Sequence, residues 1–227
     1  MKKIIALFLF CLSVSFNMFS ARPLDVFINL KGDFLLHLIV CDYSLILTPI
    51  GDIVKIEPLR HRCDERYFFP ETLRPKHFEK GRYTRLKNCN VKYDFFTEKI
   101  SDIGAMKIIY DFHTKNIKKI DSYDIKYDFA SGRVKRIGEV EIEYNFFSDM
   151  ISKIGEFKVE YNFSDNQIKS ISTPDYEIEF LDKWGKPIKR DRPDRIKKCP
   201  GNNGEVSIPE DVLYYQNDNI DFYIKID

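Results

Sequence analysis

The chain has 227 residues and a mass of 26.9 kDa, with 44% hydrophobic and 31% charged residues, enough apolar material for a packed domain. Its 19 Phe, 13 Tyr and one Trp exclude a disordered chain, and ten Gly with ten Pro exclude collagen-like or linker composition. A net charge of +1 argues against a dedicated nucleic-acid binder, which needs surplus Lys and Arg to displace phosphate counterions.

Lys2 and Lys3 precede an apolar run, Ile4 to Phe16, and a small and polar stretch from Asn17 to Ala21 follows. This order predicts a signal peptide over residues 1–21, cleaved after Ser20 or Ala21. The run is shorter than the ~20 apolar residues of a membrane span. No other stretch approaches that length, so the mature chain is expected in the periplasm or outside the cell, without a transmembrane segment. Phe10 stands where lipidation of Cys11 would need a small residue. Losing two lysines and no acid turns the net charge from +1 to −1.

Cys41, Cys63, Cys89 and Cys199 remain, and an even count in an exported chain predicts two disulfides. The alternative, a metal site of His61, Cys63, His77 and Cys89, lacks the short C-x-x-C knuckle of zinc ribbons. The favoured pairing is Cys63–Cys89, which brackets a non-repeating segment and by the chain-entropy model contributes ~3–4 kcal/mol. Cys41–Cys199 is then left, and it requires either a strongly curled sheet or a tail folding back along it.

Residues 22–57 hold two degenerate units, in which Gly32-Asp33-Phe34 and Gly51-Asp52-Ile53 lie 19 residues apart behind apolar runs. Residues 58–88 lose periodicity and gather basic residues, among them Arg60, Arg62, Arg66 and Lys80, diluted by acids; mixed signs read as solvated loop charge. Residues 89–190 carry the repeat. Tyr93, Tyr110, Tyr127, Tyr144 and Tyr161 are spaced 17 residues apart. Each is followed by Asp or Asn (Asp94, Asp111, Asp128, Asn145, Asn162) and then by Phe (Phe95, Phe112, Phe129, Phe146, Phe163). An aliphatic stands two residues before each Tyr, and two more stand seven and ten residues after it, as in Ile125, Val134 and Ile137. Tyr176, Ile178 and Phe180 continue the frame in weaker form.

One unit reads as a β-hairpin. Val91-Lys92-Tyr93-Asp94-Phe95 alternates with the period of a half-buried strand, turn residues such as Ser131-Gly132 follow, and the aliphatic pair marks a second strand. Its i, i+3 spacing predicts a bulge. A 17-residue unit has no room for a crossover helix, so successive strands are antiparallel neighbours. The predicted fold is all-β, an antiparallel β-meander of stacked 17-residue hairpin repeats forming a curved sheet. Val, Tyr and Phe are expected on one core-facing side, with Phe96 and Phe147 on the other. Residues 191–227 are expected to form a loop and a final hairpin from Val212-Leu213-Tyr214-Tyr215 and Ile220 to Ile224.

The unit resembles the tyrosine-aspartate (YD) repeats of Rhs-type secreted proteins. Tyr127-Asp128 leads to Gly132-Arg133-Val134 and then Ile137, and Asp182-Lys183-Trp184-Gly185 followed by Ile188 is a second partial match. Three residues separate Asp128 from Gly132 where the family has two, and most units lack the Gly-Arg. The resemblance implies a curved sheet of stacked hairpins. It does not carry over the toxin-enclosing shell, which needs many more units.

No G-x-S-x-G elbow, phosphate loop, H-E-x-x-H or dinucleotide fingerprint occurs. His37, His61, His77 and His113 stand apart from any nucleophile at a family spacing, so no catalytic residue, cofactor or metal is expected. Asp94, Asp111 and Asp128 could align across the sheet and attract a cation, but Asn145 and Asn162 point to a turn role. The expected function is binding or structural association with an unidentified protein or glycan of the cell envelope. The alternative is a carboxylate-dependent hydrolase of cell-surface polysaccharide.

Overall fold

The structure is a computed structural model that describes residues 24–58, 85–86, 89–175, 177–180, 196–198, 205–207, 212–216 and 220–225. It is all-β; the described residues form strands and turns with no helix. The signal segment, Cys63, Cys199, Tyr176 and most of residues 58–88 and 181–211 lie outside the described residues.

The strands are β1 (Leu24–Asn29), β2 (Phe34–Val40), β3 (Tyr43–Leu47), β4 (Ile53–Pro58), β5 (Arg85–Leu86), β6 (Cys89–Tyr93), β7 (Ile100–Ile103), β8 (Met106–Tyr110), β9 (Ile117–Ile120) and β10 (Tyr123–Tyr127). They continue as β11 (Val134–Ile137), β12 (Val140–Tyr144), β13 (Ile151–Ile154), β14 (Phe157–Tyr161), β15 (Ile168–Ser172), β16 (Glu177–Glu179), β17 (Ile196–Lys198), β18 (Glu205–Ser207), β19 (Val212–Gln216) and β20 (Ile220–Lys225). β5 to β16 make one 12-stranded antiparallel meander in sequence order.

Each array unit is a five-residue strand ending on the repeat Tyr and a second strand, four residues long in the first four units and five in the last, carrying the aliphatic pair. The bulge expected from the i, i+3 spacing is present. Tyr127 pairs with Val134 and Lys126 with Arg136, so Lys135 is the extra residue, and the same shift recurs at Tyr93, Tyr110, Tyr144 and Tyr161. One added residue turns an i, i+3 pair onto a single face, and Val134 and Ile137 are both buried. A fourth apolar slot lies four residues before each Tyr, where Met106, Tyr123, Val140 and Phe157 are buried. Its side chains share only bulk, which hid it from a search for conserved type. Cys89 occupies that slot in the first unit.

Two turn types alternate along the array. Tight two-residue returns use a left-handed residue at Gly104, Asp121, Gly138 and Gly155, the position a II′ hairpin turn requires. The longer turns follow the repeat Tyr and define the opposite edge.

The degenerate N-terminal units do not extend this meander. β1 to β4 and the C-terminal hairpin β19–β20 form a separate six-stranded sheet in the order β19-β20-β1-β2-β3-β4. β20 lies parallel to β1, with Phe27 opposite Tyr223, so the two ends of the described chain are neighbours in this sheet. Its longer turns close over one residue fewer: Asn29 N–H donates to Asp33 O, whereas Asp94 N–H donates to Lys99 O.

The two sheets share one core. Phe157 of the array stacks on Phe222 at 5.0 Å between centroids, and Phe34 lies 6.2 Å from the Tyr144 ring. The long turns of the small sheet dock on alternate array units in the same way. Val134 N–H donates to Pro49 O at 2.8 Å and Ile168 N–H donates to Leu30 O at 2.7 Å. Beside these bonds, Gly51 sits on the Tyr127 ring and Gly32 on the Tyr161 ring, where an added Cβ would fall within 2.9 Å of ring atoms in both cases. The positive φ of Gly51 and Gly32 (81° and 80°) and this close approach both demand glycine.

Candidate functional site

The edge of the array beyond the repeat tyrosines carries the candidate site. The strand stops at Tyr because the next side chain competes for backbone donors. Asp94 Oδ1 accepts from the amides of Phe96 and Thr97 at 3.0 and 2.7 Å. Asp111 does the same with His113 and Thr114, and Asp128 with Ala130 and Ser131. Asn145 and Asn162 keep one such bond each, to the amides of Phe147 and Ser164. These are Asx turns. The amide bonds from Thr97, Thr114 and Ser131, helped by their hydroxyls, hold the carboxyls of Asp94, Asp111 and Asp128 below the ordinary carboxylate range. The fifth residue after each Tyr is left-handed: Glu98, Lys115, Gly132, Asp149 and Asn166 all have φ between 55° and 69°.

The same turn overturns the expected placement of the phenylalanines. Phe95, Phe112, Phe129, Phe146 and Phe163 do not join Val and Tyr on the core face. The chain has left the pleat one residue earlier, and these side chains project from the turn tips. Phe96 and Phe147 project with them instead of lying on the opposite strand face. All seven are 65% to 104% exposed. Successive tips are two strands apart, ~9.6 Å at ordinary strand spacing. Phe96 lies between Phe95 and Phe112, with centroids 5.4 and 6.0 Å away and near-perpendicular planes. Phe147 lies 5.3 Å from Phe146. Lys115 Nζ sits 4.8 Å from the Phe112 ring centre. Arg133 covers Tyr144 at 5.3 Å and pairs with Asp149 across the row.

The tyrosines behind the tips form the inner wall. Burial pushes the hydroxyls of Tyr110, Tyr127, Tyr144 and Tyr161 up from their ordinary acidity. Tyr110 donates to Ile100 O and Tyr144 to Val134 O, each at 2.8 Å. The Ile117 backbone N–H faces the Tyr127 hydroxyl without a bond of normal geometry. Its hydroxyl and that of Tyr161, the two rings covered by glycine turns, are buried and unpartnered.

A second constellation was not legible in the sequence. His37, which sequence spacing left isolated, bridges Asp25 and Ser44 on the outer face of the small sheet. Nδ1 lies 2.6 Å from Asp25 Oδ2 and Nε2 lies 2.7 Å from Ser44 Oγ. Asp221, paired with Asp25 across the parallel strands, accepts from the Tyr214 hydroxyl at 3.1 Å, and both carboxylates are buried. Strand pairing, not spacing, assembles this row: Asp25 is directly opposite His37. β3 pairs with β2 and with β4, so the backbone amides around Ser44 are committed to ladders instead of being aimed at an oxyanion. The row reads as a satisfied polar network that fixes register.

The expected disulfide residues fall in different places. Cys41 opens the tight turn between β2 and β3 with φ 55° and is exposed, Cys89 is half-buried, and both are free thiols. Partial burial, with the carboxylates of Asp121 and Asp42, pushes the Cys41 thiol up. Cys89 packs beneath Gly104 and hydrogen-bonds with Tyr43, whose hydroxyl is pushed up to about 12, chiefly by burial. The expected Cys63–Cys89 and Cys41–Cys199 bonds are thus not formed in the structure, and Cys63 and Cys199 lie outside the described residues. His61 and His77 also lie outside them, and His113 stands on the turn edge beside Phe112. No three His, Cys, Asp or Glu side chains converge as a metal site among the described residues. No helix among them is long and apolar enough to cross a membrane.

Searches against protein-family models, curated proteins and solved structures find no match to this chain.

Proposed function

We propose that the protein is an exported β-repeat module that works by binding or structural association, with the phenylalanine edge as its contact surface. Its partner is a protein or glycan of the cell envelope. The observation that carries this reading is the exposed row itself. Seven phenylalanines stand on one edge of one sheet, each on a turn pinned by side-chain and backbone hydrogen bonds. Contiguous apolar patches beyond a few hundred Å² mark interaction surfaces, and rigid aromatic side chains lose little entropy when covered. Export rests on Lys2, Lys3 and the apolar run after them. The resemblance to YD repeats rests on the stacked hairpins and on the Tyr-Asp pair at the head of each turn.

The test is a panel of purified envelope proteins and polysaccharides against mature protein and the double variant Phe129→Ser/Phe146→Ser. Both substitutions are on exposed turn tips and should leave stability within about 0.5 kcal/mol. The expected result is binding to at least one member and a tenfold or greater loss in the variant. Equal binding by variant and parent would remove the edge from the interaction. A hydrolytic reading has one observation in its favour, the buried Asp25–Asp221 pair beside His37 and Ser44. Reducing-end release from those polysaccharides, abolished by Asp25→Asn, is the result that would establish it.

A further inference from the structure

We infer that the protein partner of the phenylalanine edge is a second copy of the same chain, joined about a two-fold axis with the two rows interdigitated. The inference rests on the reading that this edge is the contact surface, and it names the occupant.

Period is the first argument. Tips ~9.6 Å apart leave gaps whose midpoint is ~4.8 Å from either neighbour, inside the 4.5–7 Å range in which aromatic pairs are favourable. Phe96 already fills the first gap, so a facing row enters only the gaps that remain, and a second copy matches their spacing by identity. The molecule shows that such a gap accepts one ring. Phe96 occupies the gap between Phe95 and Phe112 in edge-to-face contact. Phe129, third of the five tips, is fully exposed and is the centre about which a two-fold pairing brings the most tips together.

Area is the second argument. Large aromatic side chains bury ~150–250 Å² each, so seven exposed phenylalanines offer on the order of 1,000 Å², against ~800 Å² per partner in a stable complex.

The test uses the mature protein, with oligomeric state measured by sedimentation and cross-linking by peptide mapping. The parent is expected to sediment as a concentration-dependent dimer and Phe129→Ser/Phe146→Ser as a monomer with an unchanged circular dichroism spectrum. The exposed-strand control Lys158→Ala should remain dimeric. Under mild oxidation Phe129→Cys is expected to link to itself across the axis. Phe163→Cys should not, because with the half-repeat offset of interdigitated rows two copies of the fifth tip lie at least three and a half repeats, ~34 Å, apart. A monomeric parent, a double variant that stays dimeric, or a Phe163→Cys dimer as abundant as that of Phe129→Cys each overturns the inference. A monomeric parent that still loses envelope binding on the double substitution overturns the inference alone and leaves the contact surface in place. A double variant unchanged in both measurements overturns both.

Discussion

At the scale of single residues, the repeat tyrosines separate into two kinds that share one sequence slot. Tyr144 has a paired hydroxyl and Tyr127 a buried one without a partner. Removing one partner of a buried bond costs about 1–3 kcal/mol, because the other group is left desolvated, whereas removing an unpaired hydroxyl relieves a desolvation cost. Tyr144→Phe is therefore expected to destabilise by ~1 kcal/mol and Tyr127→Phe to be neutral or stabilising. Urea titrations of the two variants check this, and equal losses would show that the Tyr127 hydroxyl is bonded after all. What decides the difference is Gly51, which lies on the Tyr127 ring and comes from a distant part of the chain.

At the scale of the element, the long turn is where the sequence was most informative and also most misread. Strand identity, the bulge and the core positions of Ile, Val and Tyr follow from period and spacing. Alternation puts the phenylalanines on the core face only if it runs two residues past Tyr, and the Asp or Asn between them in every unit is itself a strand terminator. The His37 row was illegible for another reason: it exists only when Asp25, His37 and Ser44 meet across paired strands. The turn acids also set a pH dependence. Their carboxyls are lowered in the folded state, so their stabilising effect is present above the unfolded value, about 4, and is lost as pH falls through the folded values. Replacing Asp94, Asp111 and Asp128 with Asn keeps an acceptor, as Asn145 and Asn162 do. The triple variant is expected to lose less of its urea midpoint than the parent between neutral pH and about pH 3. A parallel fall in both proteins would place the acid sensitivity elsewhere.

At the scale of the molecule, the small sheet and the array are one cooperative body because they bury a common face. Phe222 has no exposed surface and stacks on Phe157. Phe222→Ala is expected to cost ~3–5 kcal/mol and to raise amide hydrogen exchange in both sheets together; faster exchange confined to β19 and β20 would show two independent units. The parallel pairing of β1 with β20 carries a further consequence, for the order of events. The array is built from contacts between near neighbours and can close hairpin by hairpin as the chain emerges from its N-terminus. Such local contacts form fast, whereas pairings between distant segments wait on loop closure. Phe27 meets Tyr223, so the first strand of the small sheet must stay unsatisfied along one edge until the last strand has been delivered.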